Sequence, residues 1–333
     1  MSDLAATILV IVFAMGFNYT NGFHDAANAI ATSVSTRALT PRFALVMAAV
    51  GNLVGSFFGV KVAATVGKGV ITAPNTVAGL GVIFAGLVGA IAWNLVTWYF
   101  GIPSSSSQAL IGGLVGAAAI APQASVQVHG VVEKVIIPMV VSPVAGLVLG
   151  FLVMIAVLWI FRRGHPGKLN RGFRFMQSLS ALAMSIGHGL QDAAKTVGVV
   201  GLALVVGGYL GADAAIPSWV YVMTALVLSL GTYSGGWRII RTLGRRIIHL
   251  DPPQGFAAES TASAVLFTAG AYGLPISTTH TITTAIMGVG AAKRLRAVRW
   301  GVAGNIVIAW ILTLPGSALV AAVTYLIVKP LFT

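Results

Sequence analysis

The sequence predicts an all-α polytopic membrane protein. It is expected to hold two inverted-topology repeats, each with a broken or re-entrant Ser/Thr-rich helical segment, and about ten membrane segments in all. Three observations predict this. Hydrophobic residues make up 57% of the 333-residue chain and charged ones 8%, against about 25% charged in a soluble domain. That is too little charge to coat a water-facing surface. Long apolar runs recur along the whole length, and the chain contains itself twice.

The apolar runs fall near 5–20, 43–60, 79–100, 135–160, 196–209, 219–231 and 302–328. Many approach the ~20 residues that span a bilayer as helix. Forty glycines suit such a protein, because small residues let helices approach closely in lipid. The first run is expected to be a membrane segment and not a cleaved signal peptide. Asp3 is its only charge, and the basic flank of a signal is missing. The absence of cysteine excludes disulfides, thiol catalysis and cysteine metal sites.

The duplication shows in three collinear pairs. "NGFHDAANA" at 21–29 matches "HGLQDAAKT" at 188–196, with Gly22, Asp25, Ala26 and Ala27 on Gly189, Asp192, Ala193 and Ala194. "GVKVAATVGKGVI" at 59–71 matches "GWRIIRTLGRRII" at 236–248, with Gly59, Thr65 and Gly67 on Gly236, Thr242 and Gly244. "GIPSSSSQALIGGLVG" at 101–116 matches "GLPISTTHTITTAIMG" at 273–288. There Gly101, Pro103, Ser105, Ser106, Ser107 and Gly116 fall on Gly273, Pro275, Ser277, Thr278, Thr279 and Gly288.

The net charge of +13 invites a nucleic-acid reading, but its placement argues for topology. Basic residues cluster in four polar connections. These hold Arg37 and Arg42; Arg162, Arg163, Lys168, Arg171 and Arg174; Arg238, Arg241, Arg245 and Arg246; and Lys293, Arg294, Arg296 and Arg299. The positive-inside rule puts all four in the cytoplasm. The connection at 207–217 carries no basic residue, as an external loop should. The halves then run in opposite directions, with the N- and C-termini outside a cell (plasma or inner) membrane. The expected units are repeat 1 at 1–130, a connecting transmembrane helix and basic cytoplasmic loop at 131–175, repeat 2 at 176–292, and a basic loop with the C-terminal transmembrane helix at 293–333.

Asp25 and Asp192 hold equivalent places in the two repeats. A charge at the centre of a membrane helix costs ~2.5–3.5 kcal/mol on insertion scales, so such residues usually face a cavity or a partner. The bland alternative is that they only cross-link helices. Each Gly-x-Pro segment breaks a helix, and hydroxyls follow: Ser104, Ser105, Ser106 and Ser107, with Gln108 behind, and Ser277, Thr278 and Thr279. A helix N-terminus with free N–H groups and hydroxyls is a ready anion site. Broken half-helices aimed at an anion are a transporter device. Asn28 and Lys195 join this substrate group. Asp25, Asp192, Asn21, His24 and Gln191 form the ion-coupling group, and oxygens of Asp25, Asn28 and Asp192 suit a hard cation such as Na⁺. An anion site beside a cation or proton site is an ion-coupled symporter. An anion channel on the same site is the rival. A membrane enzyme is not expected, because the chain has no P-loop, GxSxG or HExxH motif. His280, the best candidate base, fits better as a site-lining or packing residue.

These motifs resemble the inorganic phosphate transporters of the PiT (Pho4) type. The resemblance rests on "NGFHDAANAIAT", "GHGLQDAAKTVG", "GIPSSSSQ" and "GLPISTTH" and covers essentially the whole chain. It implies phosphate symport with H⁺ or Na⁺ as the coupling ion, no other cofactor, alternating access and a homodimer. Asp25, Asn28, Asp192 and Lys195, with the Ser/Thr residues, would line the substrate and ion sites. The family often has Asn directly before the motif aspartate, where this chain has His24 and Gln191. The His form is similar to the bacterial branch usually regarded as proton-coupled, so protons are the expected coupling ion and sodium the alternative. Some relatives carry sulfate, so another oxyanion is the alternative substrate. Neighbours on a regular helix point apart. A proton shared by His24 and Asp25 therefore calls for an unwound stretch, which Gly22 would permit.

Overall fold

A computed structural model of the chain describes residues 2–332. α1 (Asp3–Ser35) is one helix of 33 residues. It carries the first apolar run straight into the motif, so the unwinding expected at Gly22 does not occur. α2 (Pro41–Gly55) opens on a proline, which fits a first turn because that N–H has no helical partner anyway. α3 (Val60–Gly69) and α4 (Val77–Phe100) follow. α4 ends at Gly101, whose φ of 65° favours a residue without a side chain. α5 (Ser106–Ile120) is the first half-helix. β1 (Ile71–Thr72) and β2 (Ser125–Val126) make one small antiparallel pair. α6 (Val128–Val131) runs through a π turn into α7 (Ile137–Ile160).

The second half begins with α8 (Pro166–Val206), 41 residues long. Residues 166–175, read from the sequence as connecting loop, are its first turns, with Lys168, Arg171 and Arg174 exposed on them. Then come α9 (Ser218–Ser234), the short α10 (Trp237–Arg241) and α11 (Pro252–Ala271). Asp251 caps α11 reciprocally with Gln254, satisfying two otherwise unpaired donors. α12 (Thr278–Lys293), the second half-helix, and α13 (Trp300–Val328) complete the chain.

Six described helical stretches are long and apolar enough to cross a membrane: Asp3–Ser35, Pro41–Phe58, Val77–Phe100, Val128–Ile160, Pro166–Val206 and Trp300–Phe332. In α7, Val140, Val141, Val144 and Val148 are exposed, as are Ile308, Ile311, Leu312 and Leu319 in α13. Such apolar outer faces suit lipid and not water. The most apolar window of α8 is 89% buried against 28% in α13, so α8 sits at the centre and α13 at the rim.

Contacts between the halves come in matched pairs. α2 packs on α8 through Gly55 against the Ile186 carbonyl, and α9 packs on α1 through Gly231 against the Tyr19 carbonyl. Gly59 lies on the Leu190 carbonyl, and Gly236 on that of Phe23. Thr65 Oγ1 donates to the Gly273 carbonyl and Thr242 Oγ1 to that of Gly101, both at 2.8 Å. Lys61 Nζ donates to the Ala271 carbonyl at 3.0 Å, and Arg238 to that of Tyr99. The Gly59–Gly236, Thr65–Thr242 and Gly101–Gly273 correspondences are those of the duplicated sequence.

Small residues set these approaches. A Cβ on Gly22 would lie 2.5 Å from the Leu228 carbonyl and 2.9 Å from Thr232 N, whereas one on Gly172 would meet nothing within 4 Å. Gly22→Ala is expected to cost about 1–3 kcal/mol by overpacking and to lower the thermal unfolding midpoint in detergent. Gly172→Ala should leave it unchanged or slightly raised, since alanine favours helix. Equal midpoints would contradict the close α1–α9 packing.

Candidate functional site

The site is built where α1 and α8 cross the N-termini of α5 and α12. Both half-helices start alike. An extended stretch after a left-handed glycine (Gly101, Gly273) leads to a serine N-cap. Ser105 Oγ accepts from Gln108 N and Ser277 Oγ from His280 N, both at 3.1 Å. Those oxygens are thus occupied as caps, and the next two residues of each helix, Ser106, Ser107, Thr278 and Thr279, carry hydroxyls into the interior.

Asp192, on α8, has partners on both carboxylate oxygens. Its Oδ1 takes Lys195 Nζ at 2.9 Å, and its Oδ2 takes Thr278 Oγ1 at 3.3 Å. His188 Nε2 also lies 2.9 Å from Oδ2, but without hydrogen-bond alignment. Lys195 Nζ further donates to the Ile276 carbonyl at 2.7 Å and to Ser107 Oγ. Gln191 turns to backbone: its Nε2 donates to the Leu266 and Leu274 carbonyls, and its Oε1 accepts from Ile276 N, all at 3.3 Å. It braces the broken segment ahead of α12.

Asp25, on α1, is differently served. His24 Nδ1 lies 2.6 Å from its Oδ1, and Thr279 Oγ1 lies 3.4 Å from the same oxygen. The two neighbours therefore meet on a regular helix, the ring and carboxylate bending toward each other. His24 Nε2 faces Thr97 Oγ1 at 3.0 Å and Ser104 Oγ at 3.3 Å. Asn28 Nδ2 donates to Thr279 Oγ1 at 2.9 Å and Thr278 Oγ1 at 3.3 Å, which leaves its Oδ1 without a partner. Asn21 Oδ1, Ser106 Oγ and Gln108 Oε1 are also buried and unpartnered. Donor atoms of Asp25, His188 and Asp192 all lie within 4.8 Å of one another, so the two motif carboxylates share one cluster. No residue of it is more than 8% exposed. A nearby cavity of about 510 Å³, lined by Val60, Gly67, Gly198 and Tyr221 among others, does not include these residues. His280 stacks on Trp310 with ring centroids 3.9 Å apart, a packing role.

Motif comparison missed two ionisable groups. His188 lies one turn before Asp192 and donates from Nδ1 to Asn52 Oδ1 at 2.9 Å. Glu259, on α11, is wholly buried. Its Oε2 accepts from Ser180 Oγ at 2.6 Å, and its Oε1 accepts from Thr32 Oγ1 and, at 3.5 Å, from Gln177 Nε2. No ion pair to it occurs among the described residues. The signal available was scarcity: with seven acidic residues in the chain, one inside a run of small and apolar residues is a functional candidate by default.

Broken helices whose N-terminal ends meet buried polar groups inside a helical membrane protein are an arrangement that recurs among transporters. The chain belongs to the phosphate transporter family, whose model matches residues 21–321. A "Probable low-affinity inorganic phosphate transporter" of Rhizobium meliloti (strain 1021) is 50% identical over 327 residues, covering 97% of each chain. One so named from Bacillus subtilis (strain 168) is 44% identical over 330 residues, covering 99% of each. A solved structure titled "The sodium-dependent phosphate transporter" superposes with a TM-score of 0.89 over 98% of this chain and 99% of its own, at 24% identity, and so shares the fold. The protein is a membrane transporter and not an enzyme.

Glu259 is predicted to hold its neighbours in place. Glu259→Ala removes the acceptor of three buried donors, at about 1–3 kcal/mol for each group left unpaired. Glu259→Gln keeps one oxygen acceptor. Thermal unfolding in detergent should rank the midpoints native, then Gln, then Ala. An Ala variant as stable as the Gln variant would show that the hydrogen bonds contribute nothing.

Proposed function

We propose that the protein is an ion-coupled symporter that carries inorganic phosphate across the cell membrane by alternating access, with protons as the coupling ion. Family membership and the names of the relatives support the substrate. One observation supports the mechanism above others: two hydroxyl-bearing half-helix ends and two buried carboxylates share a single sealed cluster. An anion placed there meets fixed negative charge, so it is accepted only when a cation or proton neutralises that charge. Binding of one ion then requires the other, which is the basis of coupling.

The phosphate oxygens would be held by Ser106, Ser107, Gln108, Thr278 and Thr279 and by first-turn N–H groups of α5 and α12, with Ser104, Ser105, Ser277 and Asn28 around them. These half-helices have 15 and 16 residues, short of the ~20 that cross a bilayer, which suits re-entrant segments. The matched inter-half contacts support two inverted repeats, and exchanging the roles of the halves would open one midplane site to either side in turn. Ten segments result if α5, α9, α11 and α12 join the six long apolar stretches. With the basic clusters in the cytoplasm, both termini are outside. A homodimer completes the assembly.

The His24–Asp25 contact of 2.6 Å supports the proton. Histidine is the side chain suited to proton exchange near neutral pH, and here it touches the carboxylate on one side and Thr97 and Ser104 on the other. Ser104 directly precedes the anion-binding tip, so the state of the imidazole reaches the anion side through one hydroxyl. A second reading is favoured by Asn28 Oδ1, a buried oxygen without a partner: with Asp25 it offers oxygen ligands to sodium.

Purified protein in sealed proteoliposomes is expected to accumulate labelled phosphate when the interior is alkaline, in sodium-free buffer. Asp25→Asn should abolish that accumulation while the variant remains monodisperse in detergent. Accumulation driven by an inward sodium gradient at equal pH, and none by a pH gradient, would shift the coupling to sodium. No accumulation under either gradient would overturn the symport reading.

A further inference from the structure

The duplicated motif places Lys195 where the first half has Asn28, and the two side chains are used in opposite ways. An ammonium has three N–H donors. Those of Lys195 go to a carboxylate oxygen, Asp192 Oδ1 at 2.9 Å, to the Ile276 carbonyl at 2.7 Å, and to the Ser107 hydroxyl. All three acceptors belong to the protein, so no donor is left over for a substrate anion in this arrangement. The surroundings are those a hard cation takes: carboxylate, carbonyl and hydroxyl oxygens. In the first half, the counterparts of Asp192, Ser107 and Lys195 are Asp25, Thr279 and Asn28. Asp25 and Thr279 lie in contact there, at 3.4 Å. Asn28 brings no positive charge and leaves its own oxygen unpartnered.

We propose that Lys195 is a tethered counter-ion: its ammonium permanently fills the second-half cation position, and only the first-half position, beside Asp25 and Asn28, takes a mobile ion. This rests on the reading that Asp25 holds the coupling ion, and it deepens that reading by halving the number of exchangeable cations. Lys195 is 2% exposed and Asp192 wholly buried, so neither charge tolerates the loss of the other. Removing the ammonium creates a demand for a replacement cation of similar size. Lys195→Asn restores the residue of the first half and supplies an oxygen ligand for it.

The test counts sodium, the probe cation, on purified protein in detergent by equilibrium binding of the labelled ion without phosphate. Lys195→Asn is expected to bind one more sodium per chain than the unaltered protein, and Lys195→Asn with Asp192→Asn is expected to lose it. A folded Lys195→Asn variant with an unchanged sodium count would overturn the proposal, as would an extra sodium that survives in the double variant. If Lys195→Asn yields no folded protein in sodium-free buffer, sodium chloride should restore the yield and N-methylglucamine chloride should not. Failure of both salts would also overturn it. The count needs no transport, so a lack of phosphate uptake by the unaltered protein would count against the functional reading alone.

Discussion

A carboxylate inside a bilayer needs a counter-charge, a proton or a set of hydrogen bonds, and this protein buries two motif carboxylates in one cluster. That requirement organises the rest. Asp192 meets it with an ion pair to the Lys195 ammonium, on its own helix one turn away. Asp25 meets it through the adjacent His24, and among the described residues its other hydrogen-bond partner is the more distant Thr279 hydroxyl. The central helices bring the two aspartates together, and the glycines allow it. Gly55, Gly59 and Gly189 let α2 and α3 press against α8, and Gly22, Gly231 and Gly236 let α9 and α10 press against α1. The half-helices then deliver hydroxyls to that cluster.

The two halves share a plan and differ at the positions that matter chemically. His24 answers to Gln191, and Asn28 to Lys195. Gln191 spends its amide on three backbone groups of the broken segment, a neutral brace. His24 occupies the same position but turns its ring to the Asp25 carboxylate and to Thr97 and Ser104. The second half thus holds an ion pair beside a neutral brace, while the first half pairs its carboxylate with an imidazole and leaves the Asn28 oxygen unpartnered. That division is the basis for proposing a single mobile coupling position.

The all-helical membrane class was legible because composition alone forbids a water-facing surface, and the duplication of the sequence shows in three motifs that recur in order. The same duplication pointed to Asp25, Asp192 and the Ser/Thr tips, which the structure gathers into one cluster. What was not legible depends on packing. Gly22 has the composition of a hinge, yet its missing side chain serves the approach of α9 and α1 runs straight through it. Residues 166–175 are polar enough to pass for a loop, but Pro166 starts a helix that simply continues beyond the apolar zone. Glu259 has no counterpart in the matched motifs, so comparing halves could not find it. Its place became evident only when Thr32, Ser180 and Gln177 were seen around it.

The central claim is that the half-helix ends form one phosphate site reached from each side of the membrane in turn. Because the chain has no cysteine, Ser106→Cys gives a single reporter at that site. The direct measurement is the rate at which a small membrane-impermeant thiol reagent modifies it in sealed vesicles. The reagent is applied from the outside and, separately, enclosed on the inside, with and without phosphate. The account predicts modification from both sides, slowed from both by phosphate. Modification from one side only, or at a rate indifferent to phosphate, would contradict it.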